Sequence, residues 1–241
     1  MHPAIALIAA AGLFVALGGF VQSGIGLGLG LIGAPIVTLL APALMPGSML
    51  VAGASLPLLI LARESLHTDW PGVSWALAGR VAGTAGGIWV LAAVSLRALG
   101  IVVGGMVLAV VALSVRAAVV PRNRVTLVTA GVISGVTGTA TSIGGPPVAL
   151  LYQSESGPLV RATLSFYFCV GNSVALAALA ATGHLPARDV VAGLLFIGCA
   201  ALGFAVAAGL RRFLDEGRTR AAVLAAAAGS AIVLIVHSVL G

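Results

Sequence analysis

Apolar residues run almost without interruption along this chain, in stretches at about residues 4–44, 48–62, 73–94, 98–118, 124–153, 162–182, 188–210 and 219–240. Polar and charged positions fall mainly in the short breaks between them. Most stretches match the roughly 17–25 residues that carry a helix across a bilayer, so the pattern predicts a polytopic α-helical membrane protein. Two stretches do not fit. The run from Val125 to Tyr152 would make one helix about 42 Å long, too long for one upright crossing and too short for two. Its middle, Ser134 to Pro147, is rich in glycine and ends in two prolines, which predicts two short helices meeting at a non-helical tip. A similar break, Gln22 to Pro35, interrupts the first uncharged run. Irregular backbone at membrane depth is tolerated only where it is buried in protein or lines a cavity.

Composition agrees with the pattern. The chain is 60% hydrophobic and 7% charged, against about 25% charged in soluble domains, so it cannot build a water-soluble surface. All twelve basic residues are Arg and the net charge is +6; this reflects Arg-rich loops held on one membrane face, not a nucleic-acid partner. If each broken stretch makes an even number of crossings, none as a re-entrant hairpin or two as full helices, the loops sort cleanly. One side then holds Arg63, Arg116, Arg122, Arg124, Arg161, Arg211, Arg212, Arg218 and Arg220, and the other only Arg97 and Arg188. Basic loops stay inside, which places the first side in the cytoplasm and both termini in the periplasm of a bacterial inner membrane. The N-terminal run lacks the basic region of a signal peptide and reads as part of the mature fold.

The chain is also a duplication. A shift of 112 residues superimposes Gly19 on Gly131, Gly26 on Gly138, Gly33 on Gly145 and Pro35 on Pro147, and a shift of 115 pairs Pro71 with Pro186, Gly83 with Gly198 and Arg97 with Arg212. The halves are 1–118 and 119–241 of one integral membrane domain. Each holds a broken helix pair plus three transmembrane helices, so the second begins on the side opposite the first. The predicted fold is all-α with two inverted repeats, an arrangement in which paired broken helices mark a binding site near the midplane. The glycines at 83, 86 and 87 and at 104 and 105 read instead as close helix packing.

The broken stretches suggest anion chemistry. Proline is favoured in the first turn of a helix, so Pro35 and Pro147 are expected to start the second short helix of each pair, leaving helix N-termini at Gly33 and at Gly144 and Gly145. Free N–H groups and the positive dipole end would face the tip. Glycines there, including Gly24 and Gly26, let an anion approach the backbone. Ser23, Thr139, Thr141, Ser142 and the amide of Gln22 add neutral donors, so the ligand is expected to be held without a formal counter-charge. No Asp, Glu or Lys lies deep in an apolar run, so a protonatable coupling carboxylate is missing. Arg80 reads as snorkelling to the headgroups or as an anion-attracting entrance, and Asn172 as an interhelical bond or a substrate contact.

The run SIGGPPVALLY at 142–152 is similar to the second-half motif of the TauE/SafE sulfite exporters, and GIGLGLGLIGAP at 24–35 resembles the first-half motif more loosely, its glycines being spread out. The resemblance implies export of sulfite or an organosulfonate. By matching position it marks Gly33, Pro35, Gly144, Gly145, Pro146 and Pro147, with Asn172 following less securely. An importer of a sulfur compound such as thiosulfate, contacted by Cys169, and a passive anion channel are the alternatives. An intramembrane enzyme would need a catalytic constellation at depth, whereas His2, His67, His184 and His237 lie at segment or chain ends and Cys169 and Cys199 lack metal-like spacing. The expectation is therefore a transporter without cofactor or metal, monomeric or homodimeric in the bilayer.

Overall fold

The computed structural model describes residues 3–25, 29–116, 120–210 and 216–240. Its ten α-helices among these residues follow one order twice. In the first half, α1 (Pro3–Ile25) is followed by a π-helical turn (Leu29–Gly33) and the short α2 (Ala34–Leu40), then by α3 (Gly47–Glu64), α4 (Trp70–Ala93) and α5 (Leu96–Arg116). In the second, α6 (Arg124–Thr141) and the short α7 (Gly145–Leu151) precede α8 (Gly157–Ala181), α9 (Ala187–Leu210) and α10 (Glu216–Leu240). Three helices, Trp70–Ala93, Gly157–Ala181 and Ala187–Ala207, are long and apolar enough to cross a membrane by length and composition. Large apolar side chains such as Leu13, Trp89 and Leu202 stand on the outside of the bundle, as a lipid-facing surface requires.

Local chemistry explains where the helices start. Asp69 caps α4 by accepting the Gly72 N–H at 3.1 Å, with Pro71 in the first turn. Asn123 and Thr126 form a reciprocal capping box at α6, satisfying two of the N–H groups that a helix start leaves over.

Small residues set the packing. Added Cβ atoms at Gly79 and Gly83 of α4 would meet the carbonyl oxygens of Val128 and Val132 at 2.1 and 2.2 Å. In return, Cβ atoms at Gly131 and Gly135 of α6 would meet those of Ala76 and Arg80 at 2.1 and 2.4 Å. The two backbones thus run in contact, the geometry expected of small-xxx-small interfaces. Helix α1 packs on α9 in the same manner, Gly19 against the Ala200 carbonyl and Gly203 against that of Ala16. Helix α3 lies on α8, and α5 on α10, where Gly104 faces Ile235. The packing role expected of Gly83, Gly87 and Gly104 is what these contacts give; Gly105 instead faces open space.

Polar side chains gather at the two ends of the bundle. At one end Asp69 accepts from the Tyr152 hydroxyl at 3.0 Å and pairs with Arg122 at 3.1 Å, while Arg122 also reaches Glu155 at 2.9 Å. The Thr163 hydroxyl of α8 accepts the Asp69 N–H. Since Arg122 precedes α6 and Tyr152 follows α7, the α6–α7 pair begins and finishes at the same end of the bundle. At the opposite end the buried Asp189 of α9 packs on Gly47 at the start of α3.

Candidate functional site

The tip of the second hairpin forms where α6 stops. Its last backbone bond runs from the Ser142 N–H to the Gly138 carbonyl, and Ser142 adopts a left-handed conformation, φ 63°, which ends a helix because the next N–H no longer points along the axis. The Thr141 hydroxyl accepts the following Ile143 N–H at 3.3 Å. Helix α7 then begins at Gly145 with Gly144 as its cap and proline in the first turn. The structure thus puts Pro146 in the second helical position and Pro147 in the third, so the helix starts two residues before Pro147, the expected starting residue. Because neither proline has an N–H, Gly144 and Gly145 supply the backbone donors of this turn.

The first tip differs from expectation. Gly33 does not open a helix: it ends the π-helical turn and runs directly into α2 with helical φ and ψ of −68° and −46°. Among the described residues the helical backbone resumes at Leu29, whose N–H is accepted at 3.0 Å by the side-chain oxygen of Gln22. That bond caps the turn in place of the proline-led start, and it makes Gln22 an acceptor for the protein.

Between the tips lies a cavity of about 50 Å³. At about 10–15 Å³ per water-sized body it has room for roughly four, the heavy-atom count of a small oxyanion. The first half contributes Gln22, Leu29, Gly30, Leu31, Met49 and Gly53, and the second contributes Ser142 to Pro146, Phe168 and Asn172. Of the residues singled out from sequence, Gln22, Ser142, Gly144, Gly145, Pro146 and Asn172 are therefore brought together. Gly33 is buried against Met49 and Val15, and Pro35 is buried in α2; neither lines the cavity, and nor does Pro147. Thr139 faces Thr84 on α4 at 3.5 Å, and the Thr141 hydroxyl bonds the Thr137 carbonyl and the Ile143 N–H, so the first serves helix packing and the second shapes the tip. Ser23 and Gly24 lie in the last turn of α1, where only the backbone is described, and Gly26 lies outside the described residues. Cys169 is half-buried on α8 and does not line the cavity.

Arg80 overturns one expectation. It does not snorkel: it is 1% exposed and sits ten residues into α4, about 15 Å along the axis at 1.5 Å per residue, which is half of an about 30 Å hydrocarbon core. Its Nη1 donates to Ser134 at 3.1 Å, its Nη2 donates to the Asn172 side-chain oxygen at 2.5 Å, and the guanidinium stands 4.9 Å from the Tyr167 ring centre. Ser134 in turn donates to the Gly144 carbonyl of the tip. Arg80 does not line the cavity, but a formal charge stands directly behind two residues that do, Gly144 and Asn172. A guanidinium at mid-membrane costs about 2.5–3.5 kcal/mol on insertion scales. Two hydrogen bonds from a charged donor, at about 1.5–3 kcal/mol each, and a desolvated cation–π contact of about 2 kcal/mol offset that cost without a carboxylate.

The bonding also fixes which way the amides face. Arginine carries donors only, so the Asn172 oxygen must face Arg80 and its NH2 the other way, toward Gly53. Gln22 likewise has its oxygen on Leu29. Each half therefore holds one carboxamide whose acceptor is occupied and whose NH2 is the group it can offer to a ligand. Gly53 was not singled out from sequence, although Pro57 four residues later was a signal, since proline leaves the carbonyl four positions back without its helical donor. Among the described residues no group of His, Cys, Asp or Glu is placed to hold a metal ion.

Comparison with known proteins yields one result. A family model described as sulfite exporter TauE/SafE matches residues 10–234, nearly the whole chain. No curated protein and no solved structure matches the chain.

Proposed function

The chain belongs to the TauE/SafE sulfite exporter family, and from that premise we propose that it exports a small anion, sulfite or an organosulfonate, across a bacterial inner membrane through the cavity between its two tips. Membership makes it a membrane transporter of sulfur-containing anions and not an enzyme. The observation that carries the finer reading is the hollow between the tips, lined by one NH2-bearing side chain, Gln22 or Asn172, from each half.

In this reading residues 1–118 and 119–241 are inverted repeats. The repeated helix order supports it, as does the exchange of partners: α4 packs on α6, and their counterparts α9 and α1 pack on each other, while α3 faces its own counterpart α8 and α5 faces α10. The end that carries Arg122, Arg124 and Arg161 is cytoplasmic, and both termini are periplasmic. A monoanion leaving a cell that is negative inside gains about 2.3 kcal/mol per 100 mV, enough to drive export without a coupling proton.

Counterflow tests the proposal. Proteoliposomes preloaded with unlabelled sulfite are expected to take up labelled sulfite faster than empty ones. Flux without acceleration identifies a pore, and absence of flux for sulfite, sulfoacetate and taurine alike removes the reading.

A further inference from the structure

Arg80 is a permanent positive charge buried at mid-membrane. Its Nε has no hydrogen-bond partner, and among the described residues no carboxylate pairs with it. The groups that face it are Ser134 of α6, Tyr167 and Asn172 of α8, and three glycines whose added Cβ atoms would meet the guanidinium: Gly171 at 2.0 Å from Nε, Gly144 at 3.0 Å from Nη1 and Gly138 at 3.3 Å from Nη2. None of these is an acid, a histidine or a lysine. The protein thus clears space for the charge with glycine and surrounds it with neutral acceptors and a π face. Two of its immediate neighbours, Gly144 and Asn172, also line the cavity.

We propose that Arg80 is the resident counter-charge of the transport site, and that a single such charge makes the site selective for a singly charged oxyanion. Such a role presupposes that the cavity is the transport site. One anionic charge beside one guanidinium leaves the low-dielectric centre neutral, whereas a dianion leaves it with a net charge that must be desolvated. Asn172 transmits the charge: its oxygen is bound to the guanidinium, which polarises the amide and strengthens the NH2 that faces the hollow. Bisulfite and a simple alkanesulfonate such as methanesulfonate carry one charge and three oxygens and fit this arrangement. The unprotonated sulfite dianion and sulfate, each carrying two charges, do not, so sulfite is carried in its protonated form.

Two experiments decide it. In wild-type protein, thermal shift is expected to register methanesulfonate with the same affinity from pH 6 to 9 and sulfate not at all. The apparent Kd for total sulfite should rise about tenfold per pH unit once bisulfite becomes the minor species, because only the competent fraction binds. A flat sulfite profile, or sulfate binding as well as methanesulfonate, overturns the charge rule. The second experiment is Asn172→Asp, which keeps the side-chain shape and gives Arg80 the carboxylate it lacks. Normal expression with methanesulfonate affinity reduced at least 100-fold is expected, and unreduced affinity removes Arg80 from the site. If wild-type protein binds and transports no sulfur oxyanion, the transport reading itself fails, which is a different result from loss confined to the variant.

Discussion

Replacing Gly145 by leucine separates occupation of the site from integrity of the fold. Gly145 is buried in the first turn of α7 and lines the cavity. Leucine adds four carbon atoms, and the hollow of about 50 Å³ takes roughly four water-sized bodies, so the new side chain fills the volume that a four-heavy-atom anion needs. The effect on stability is smaller. Leucine gains about 0.7–1 kcal/mol over glycine in helix propensity, and overpacking costs about 1–3 kcal/mol, for a net loss of at most about 2 kcal/mol. The variant should insert, purify as a monodisperse species and melt within a few degrees of wild type while counterflow of labelled sulfite falls below a hundredth. Wild-type flux in a protein that carries leucine at this position refutes the cavity as the path.

Three further outcomes are expected. Burial first, then the hydrogen bond and charge of Asp69, raise the Tyr152 phenol above its ordinary value. A group whose folded pKa is raised contributes stability below its unfolded value, about 10 for tyrosine, and loses it as pH rises further. The midpoint of thermal unfolding should be insensitive to this group at neutral pH and decline above about pH 10, and Tyr152→Phe should lessen that decline; an identical alkaline profile counts against the assignment. Asp69→Ala removes a helix cap and the partner of both Tyr152 and Arg122 and should cost about 2 kcal/mol, read as a lowered melting midpoint; an unchanged midpoint shows the cluster to be inert. Single cysteines at positions 1 and 241, in a background with Cys169 and Cys199 replaced, should react with an impermeant maleimide from the periplasm; reaction only after permeabilisation reverses the orientation.

The breaks in the helical pattern were legible because their signals are local. Anomalous length, glycine and proline all lie within a few residues of Ser142, and each acts on backbone geometry directly. Arg80 was not legible. Its burial depends on Gly138, Gly144 and Gly171, which lie 58 to 91 residues away in sequence and vacate space from other elements, so nothing near position 80 distinguishes it from an interfacial arginine. Gly33 misled for the opposite reason: its alignment with Gly145 implied the same role, but the Gln22 cap moved the start of the first-half turn upstream to Leu29. The two tips are thus built differently: Gly144 caps a helix that starts afresh after a break, whereas Gly33 carries helical backbone straight into α2.

One bond gives the hairpin a mechanical character. The Ser142 hydroxyl donates at 2.9 Å to the Pro46 carbonyl, just ahead of α3, so the apex of the second hairpin is moored to the first half. A tilt of α3 would stretch this bond unless the apex moved with it, so the mooring favours joint displacement of the two over independent movement of the apex.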